Sequence, residues 1–211
     1  GAFGHAGLQL PATMLPEQPD NLRGFHEPAR LLPINDRALA LCGTHWYGLE
    51  PLGEERFEGP AADTLVAQTS ASPAAEFPGQ QALVLKDPRL CRLMPLWKRA
   101  LAASSMAPRM VVPLRDPFEV AQSLKTRNGF PVEFGLALWL RHIIDAERGS
   151  RGERRRFVRY QDLIRAPAET VERIGSALVD GWTPMTPEQA QRVAHSVDAS
   201  LNHEAARARR R

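Results

Sequence analysis

The sequence predicts an α/β domain built around a parallel sheet, and three observations lead there. Short apolar runs bounded by turn signals alternate with longer segments of helical periodicity. Each run ends on polar or charged residues, as strands do where an open α/β sheet receives its ligands. The composition is that of an ordinary globular chain, 43% hydrophobic and 24% charged over 211 residues, enough for one domain with a core of its own.

Proline and glycine crowd residues 1–33, and "PEQPDNLRGFHEP" reads as an irregular loop. A short helix is expected over "INDRALALCG", capped by Asn35 or Asp36 and stopped by Gly43. "AADTLVAQTSA" reads as a helix with Asp63 in its first turn, after which "PGQQ" turns the chain. "ALVLK" (82–86) is a short apolar run and is expected as a buried strand. "DPRLCRLMPLWKRALAASS" then puts Leu90, Leu93, Leu96 and Trp97 on one helical face. A second strand follows in "RMVVPLR", and "PFEVAQSLKTR" opens a helix with Pro117 in its first turn. The clearest helix is "PVEFGLALWLRHIIDAERG", with a stripe of Leu136, Leu140, Ile143 and Ile144 and Gly149 to close it. "RRFVRYQDL" gives the third strand, and "PAETVERIGSALV" a last helix with Glu169 early in it. Repeated strand and helix in this order is the signature of a parallel sheet.

Charge and cysteine content narrow the class. The net charge is +3 and the pI near 9.2. "ERGSRGERRRFVR" (147–159) holds six arginines, and the chain ends "ARARRR" (206–211). Such clusters suit a polyanion, nucleic acid or a membrane surface, or a solvated arginine-rich face. A nucleic-acid-binding module would also need stacking aromatics or a reading helix, and the sequence offers neither. Cys42 and Cys91 lack metal-ligand spacing and make no disulfide framework. No apolar run is long enough to span a membrane, and no signal peptide is visible, so a cytoplasmic protein is expected.

The strand ends carry Lys86-Asp87, Arg115-Asp116 and Tyr160-Gln161-Asp162, expected to converge on one edge of the sheet. Arg115 followed by Ser123 on a helix is a spacing that can hold a phosphate, because a guanidinium grips phosphate through two donors and a hydroxyl adds another. The plain alternative is an Arg115–Asp116 surface pair with Ser123 uninvolved.

These segments resemble the PAPS-dependent sulfotransferases (PAPS is 3′-phosphoadenosine 5′-phosphosulfate), in their bacterial, tyrosylprotein-sulfotransferase-like branch. "RDPFEVAQS" has the family's R-[ND]-P-x-x-x-x-x-S pattern. "LVLKDPRLCRLMPLW" is similar to the lysine segment and "VRYQDLIRAP" to the Y-[EQ]-D-L element. "DNLRGFHEPARLLPINDRAL" looks like the acceptor-side loop and "VDASLNH" like the C-terminal segment. They stand in the family's order and span residues 15–205. The resemblance implies a P-loop NTPase-like fold with helices on both faces of the sheet, as a single domain over 1–211. Residues 1–50 would form an acceptor-side loop and helix, 81–180 the nucleotide-binding core, and 205–211 a basic tail. It also implies a sulfuryl transfer from PAPS to a hydroxyl or amine on a small-molecule, glycan or peptide acceptor, without a metal.

Residue roles follow from the same likeness. Arg115 and Ser123 would hold the 3′-phosphate, Tyr160 would pack beside the adenine, and His203 would cover the nucleotide. The alternatives are a core tyrosine and a frayed tail. Lys86 would stabilise the departing oxygen, and Glu27 would take the acceptor proton, with His26 and Asp87 as rival bases; Asp87 is also placed to cap the next helix. The family's G-x-x-R-S-G-T-[ST] loop is not found, since "GAFGHAG" has glycines but no Arg, Ser or Thr. The first strand and that loop are therefore expected before Gly1, or lost in a nucleotide-binding remnant. An open sheet edge there would invite self-association. With no G-K-[ST] anywhere, a P-loop kinase finds no support.

Overall fold

A computed structural model of the chain describes residues 1–16, 26–77 and 82–197. In chain order these form α1 (Ala2–His5), α2 (Leu32–Leu41), a 3-10 helix (Glu54–Phe57), α3 (Pro60–Glu76), α4 (Met94–Ala103), β1 (Arg109–Leu114), α5 (Pro117–Asn128), α6 (Val132–Gly149), β2 (Arg154–Arg159), α7 (Tyr160–Arg165), α8 (Pro167–Leu178) and α9 (Pro187–Ser196). The protein is mixed α/β. Its described residues divide into two compact units, one from Gly1–Leu8, Arg109–Leu140 and the residues from Arg154 on, the other from Gln9–Pro108 and Arg141–Glu153.

The first unit holds the sheet. β1 and β2 run parallel, in register from Arg109↔Arg154 to Leu114↔Arg159. Val158 faces inward and packs with Ile174 and Leu178 of α8. α5 starts directly after β1 because Asp116 caps it: its carboxylate accepts the N–H groups of Phe118 and Glu119, donors that have no partner inside the helix. Pro117, which has no N–H to satisfy, fits the first turn. Gly129 ends the helix in the left-handed region at φ +72. Gly135 of α6 lies against Ala121 of α5 so closely that a Cβ there would sit 2.9 Å from the Ala121 Cα. α1, α8 and α9 gather Ala6, Val171 and Val193 around Phe3 and Trp182, and α9 opens with a capping box between Thr186 and Gln189.

In the second unit α2, α3 and α4 enclose Leu31, Leu39, Phe57, Leu93, Leu96 and Trp97. Burying polar groups there is costly unless each finds a partner, and those around Trp97 and Arg92 find theirs. The Trp97 Nε1–H donates to Asn35 Oδ1 at 2.9 Å, and Asn35 Nδ2 donates to Asp87 Oδ2 at 2.8 Å. The wholly buried Arg92 donates to the carbonyls of Gly48 and Glu50 and pairs with Asp145 at 3.1 Å. The Cys42 and Cys91 thiols are free. Burial pushes both above the ordinary value of 9.0; the Cys91 thiol, with Asp145 adding to the effect, reaches about 12.

Several expectations change. The strand in "RRFVRYQDL" ends at Arg159, where Tyr160 already opens α7, and the helix in "DPRLCRLMPLWKRALAASS" starts only at Met94. "ALVLK" makes no ladder: Leu83 forms one parallel bridge with Gln9, closed by the Val84 N–H to the Gln9 carbonyl. The next rung in that register needs an N–H from residue 11, which is proline. α2 begins before Asn35 and Asp36, with Pro33 in its first turn, so Asn35 is a buried helical residue and no cap. The α6 stripe is also turned, since Gly135 and Leu138 are its buried positions while Leu140 is 51% exposed. Among the described residues no helix is long and apolar enough to cross a membrane.

Candidate functional site

In the first unit the register that ends at Leu114↔Arg159 sends Arg115 and Tyr160 out of the sheet side by side. The Arg115 guanidinium lies over the Tyr160 ring, 5.0 Å from its centroid, a cation–π distance. Arg115 Nε donates to Glu119 Oε2 at 3.2 Å. The Arg115 carbonyl accepts the Trp139 Nε1–H at 3.1 Å. α5, α6 and α7 thus each contribute one contact that fixes this arginine at the end of β1. Asp116, which the plain alternative in the sequence pairs with Arg115, caps α5, and Arg115 forms an ion pair with Glu119, four residues on. That spacing was the available signal, since residues four apart meet across a helical turn. Ser123 stands one further turn along α5, on the face that carries Glu119, and is partly buried.

A guanidinium braced by a ring and a carboxylate, with a hydroxyl one turn away, can take an anion in a fixed orientation. The contacts leave the arginine partly open, its side chain 29% exposed.

In the second unit two of the sequence's candidates meet directly. Lys86 Nζ donates to Glu27 Oε1 at 2.5 Å. The Glu27 side chain is nearly buried and Lys86 half exposed, so the ammonium supplies the charge that makes the buried carboxylate tolerable. The Glu27 backbone is held as well: its carbonyl accepts the Leu15 N–H at 2.9 Å, and Met14 and Pro28 form an antiparallel bridge. Glu76 pins the same segment from behind, accepting the Thr13 N–H at 2.9 Å and hydroxyl at 2.5 Å. His26 adopts φ +52, a conformation uncommon outside glycine, and so turns the chain immediately before Glu27.

Asp87, the rival base, is braced instead. Its oxygens accept from Asn35, from the Arg89 N–H at 2.8 Å and from the Arg89 guanidinium at 3.2 Å, which makes it the cap of the turn it precedes. His203, the "VDASLNH" segment beyond Val197, the basic tail and residues 20–25 of the acceptor-side loop lie outside the described residues. Lys86 and Glu27 belong to one unit, Arg115, Ser123 and Tyr160 to the other.

No family model matches the chain, and neither the curated proteins nor the solved structures hold a match.

Proposed function

We propose that this chain is a sulfotransferase that moves a sulfuryl group from PAPS to a hydroxyl or amine on a small-molecule, glycan or peptide acceptor. The observation that carries the reading is the meeting of Arg115 and Tyr160 at neighbouring strand ends, with Ser123 on the helix that Arg115 joins through Glu119. Arg115 and Ser123 would grip the 3′-phosphate, and Tyr160 would offer its ring to the adenine.

Sulfuryl transfer is an in-line displacement in which positioning and charge neutralisation do most of the work. For a hydroxyl acceptor, its oxygen forms a bond to sulfur while the bond from sulfur to the nucleotide's 5′-phosphate oxygen breaks. The acceptor proton passes to Glu27, which is nearly buried and ion-paired. Charge accumulates on the departing oxygen, and by the family resemblance Lys86 would answer it, giving up its ion pair with Glu27. The 211 residues contain no G-x-x-R-S-G-T loop, so the proposal gives none of them to the 5′-phosphosulfate. The pairing of Lys86 with Glu27 favours a second reading, a nucleotide-binding remnant that takes the desulfated product PAP without turnover.

Calorimetric titration of PAP and of adenosine 5′-phosphate, on the wild type and on Arg115→Ala, tests the shared premise. A preference for PAP that falls about 10- to 100-fold in the variant is expected from a lost charge-assisted contact. A preference indifferent to Arg115 would refute the site, as would equal affinity for the two nucleotides that persists in Glu119→Gln. Transfer of labelled sulfate from PAPS then separates the enzyme from the remnant.

A further inference from the structure

We infer that Glu119 is a built-in counter-anion that competes with the nucleotide's 3′-phosphate for Arg115 and keeps the bound nucleotide exchangeable; this rests on the nucleotide site proposed above.

The positive charge of Arg115 is already answered in the free protein. Arg115 supplies one positive charge, and Glu119 answers it at 3.2 Å. Asp116 adds a second carboxylate within the same turn, engaged by the Phe118 and Glu119 N–H groups. The Glu119 side chain is therefore not needed as a cap: its own N–H is satisfied by Asp116, and its carboxylate is left to reach back to Arg115. It is 16% exposed, so its charge is poorly screened by water and salt.

A phosphate monoester carries roughly 1.5 to 2 negative charges at neutral pH. Arriving at Arg115, it meets a guanidinium whose Nε is in use and a carboxylate of like sign beside it. Binding then requires Glu119 to rotate away or to share the arginine, and either costs affinity that a bare arginine would give. The competitor cannot diffuse off, because it is tethered four residues along the same helix. Its effective concentration is on the order of millimolar or above, so it recaptures Arg115 as the phosphate leaves. The contribution is a faster dissociation with little effect on encounter, which is where most affinity tuning lies. The cost falls on PAP alone, since a nucleotide without the 3′-phosphate never contends with Glu119, so the carboxylate narrows the preference between the two.

Three variants decide the matter. Glu119→Gln keeps an oxygen to accept from Arg115 Nε and removes only the charge. Glu119→Ala removes the support as well. Glu119→Gln combined with Arg115→Ala removes the object of competition. Titration with PAP and with adenosine 5′-phosphate, and stopped-flow displacement of PAP, supply the readouts, with urea unfolding to show that each variant is folded. Glu119→Gln should bind PAP about tenfold more tightly through slower release, with adenosine 5′-phosphate unchanged. Glu119→Ala should gain less, and the double variant nothing.

Should the wild type prefer PAP while Glu119→Gln binds it equally or more weakly, Glu119 is a positioning residue and the inference fails with the site intact. If neither the wild type nor Glu119→Gln distinguishes PAP from adenosine 5′-phosphate, the nucleotide site itself is wrong. A preference for PAP that emerges only in Glu119→Gln supports both, with the site masked by its own carboxylate.

Discussion

Replacing Arg92 by Met should remove about 3–4 kcal/mol of stability. The guanidinium is wholly buried, pairs with Asp145 at 3.1 Å and approaches the Glu50 carboxylate at 3.8 Å. It also donates to the carbonyls of Gly48 and Glu50. Breaking a buried pair from one side costs about 3–5 kcal/mol, because the abandoned charge stays desolvated. Here Asp145 keeps Arg141, which donates to it at 2.6 Å, and that places the loss at the low end. The carbonyl of the buried Gly48 loses its donor, adding about 1 kcal/mol, whereas Glu50 is exposed and its carbonyl can turn to water. With a urea slope of about 2 kcal/mol per molar, the unfolding midpoint should fall by about 1.5–2 M. Arg92→Lys, which can reach one carbonyl and not both, should fall between. A drop under about 0.5 M for Arg92→Met would show that this arginine's desolvation cancels what it binds.

Two further tests follow. With its thiol near 12, Cys91 is about one part in ten thousand thiolate at pH 8, and Cys42, also shifted upward, is buried. The native protein should therefore release no rapid equivalent of thiol to a disulfide reagent, and two on unfolding; a fast native equivalent would contradict the upward shift of the partly buried Cys91 thiol. The sign in pH follows: above about pH 9 the unfolded thiol loses its proton while folded Cys91 keeps it, so stability falls as pH rises toward 12. Asp116→Ala should cost about 1 kcal/mol by uncapping α5, with Asp116→Asn nearly neutral. If the two variants have the same urea midpoint, the cap is not what fixes the start of the helix.

What the sequence made legible was local. β1, β2 and the helices after them follow from short apolar runs, from Pro117 and from polar strand ends, all features of neighbouring residues. The pairing of "ALVLK" was not legible, because the proline that forbids its ladder sits in a distant segment. In α6 the period was right, but Leu140 of the expected stripe is exposed while Leu136, Ile143 and Ile144 are partly buried. Periodicity permits more than one stripe, and the small Gly135 against Ala121, followed by Leu138, marks the inward one. The TPEQ start of α9 carries a capping signature that the sequence reading leaves unused. Arg115 and Tyr160 could be brought together from strand ends alone. Glu27 and Lys86, 59 residues apart, could be linked only through resemblance, since nothing in their spacing says that they touch. Glu119 was readable as the i+4 neighbour of Arg115, and Asp116 beside it drew the eye instead.

The backbone contact at Gly135 and Ala121 has a bearing on time. Two helices that touch without intervening side chains have no slack in which to slide, and Trp139, on that same α6, also holds the Arg115 carbonyl. The platform under Arg115, Glu119 and Ser123 is therefore fixed, and what remains free are side-chain torsions. Those turn over in picoseconds to nanoseconds, whereas shifting a packed helix takes microseconds or longer. If an anion binds there, it would meet a fixed backbone, and the adjustment to it would fall to side chains, first of all to the Glu119 carboxylate that holds Arg115.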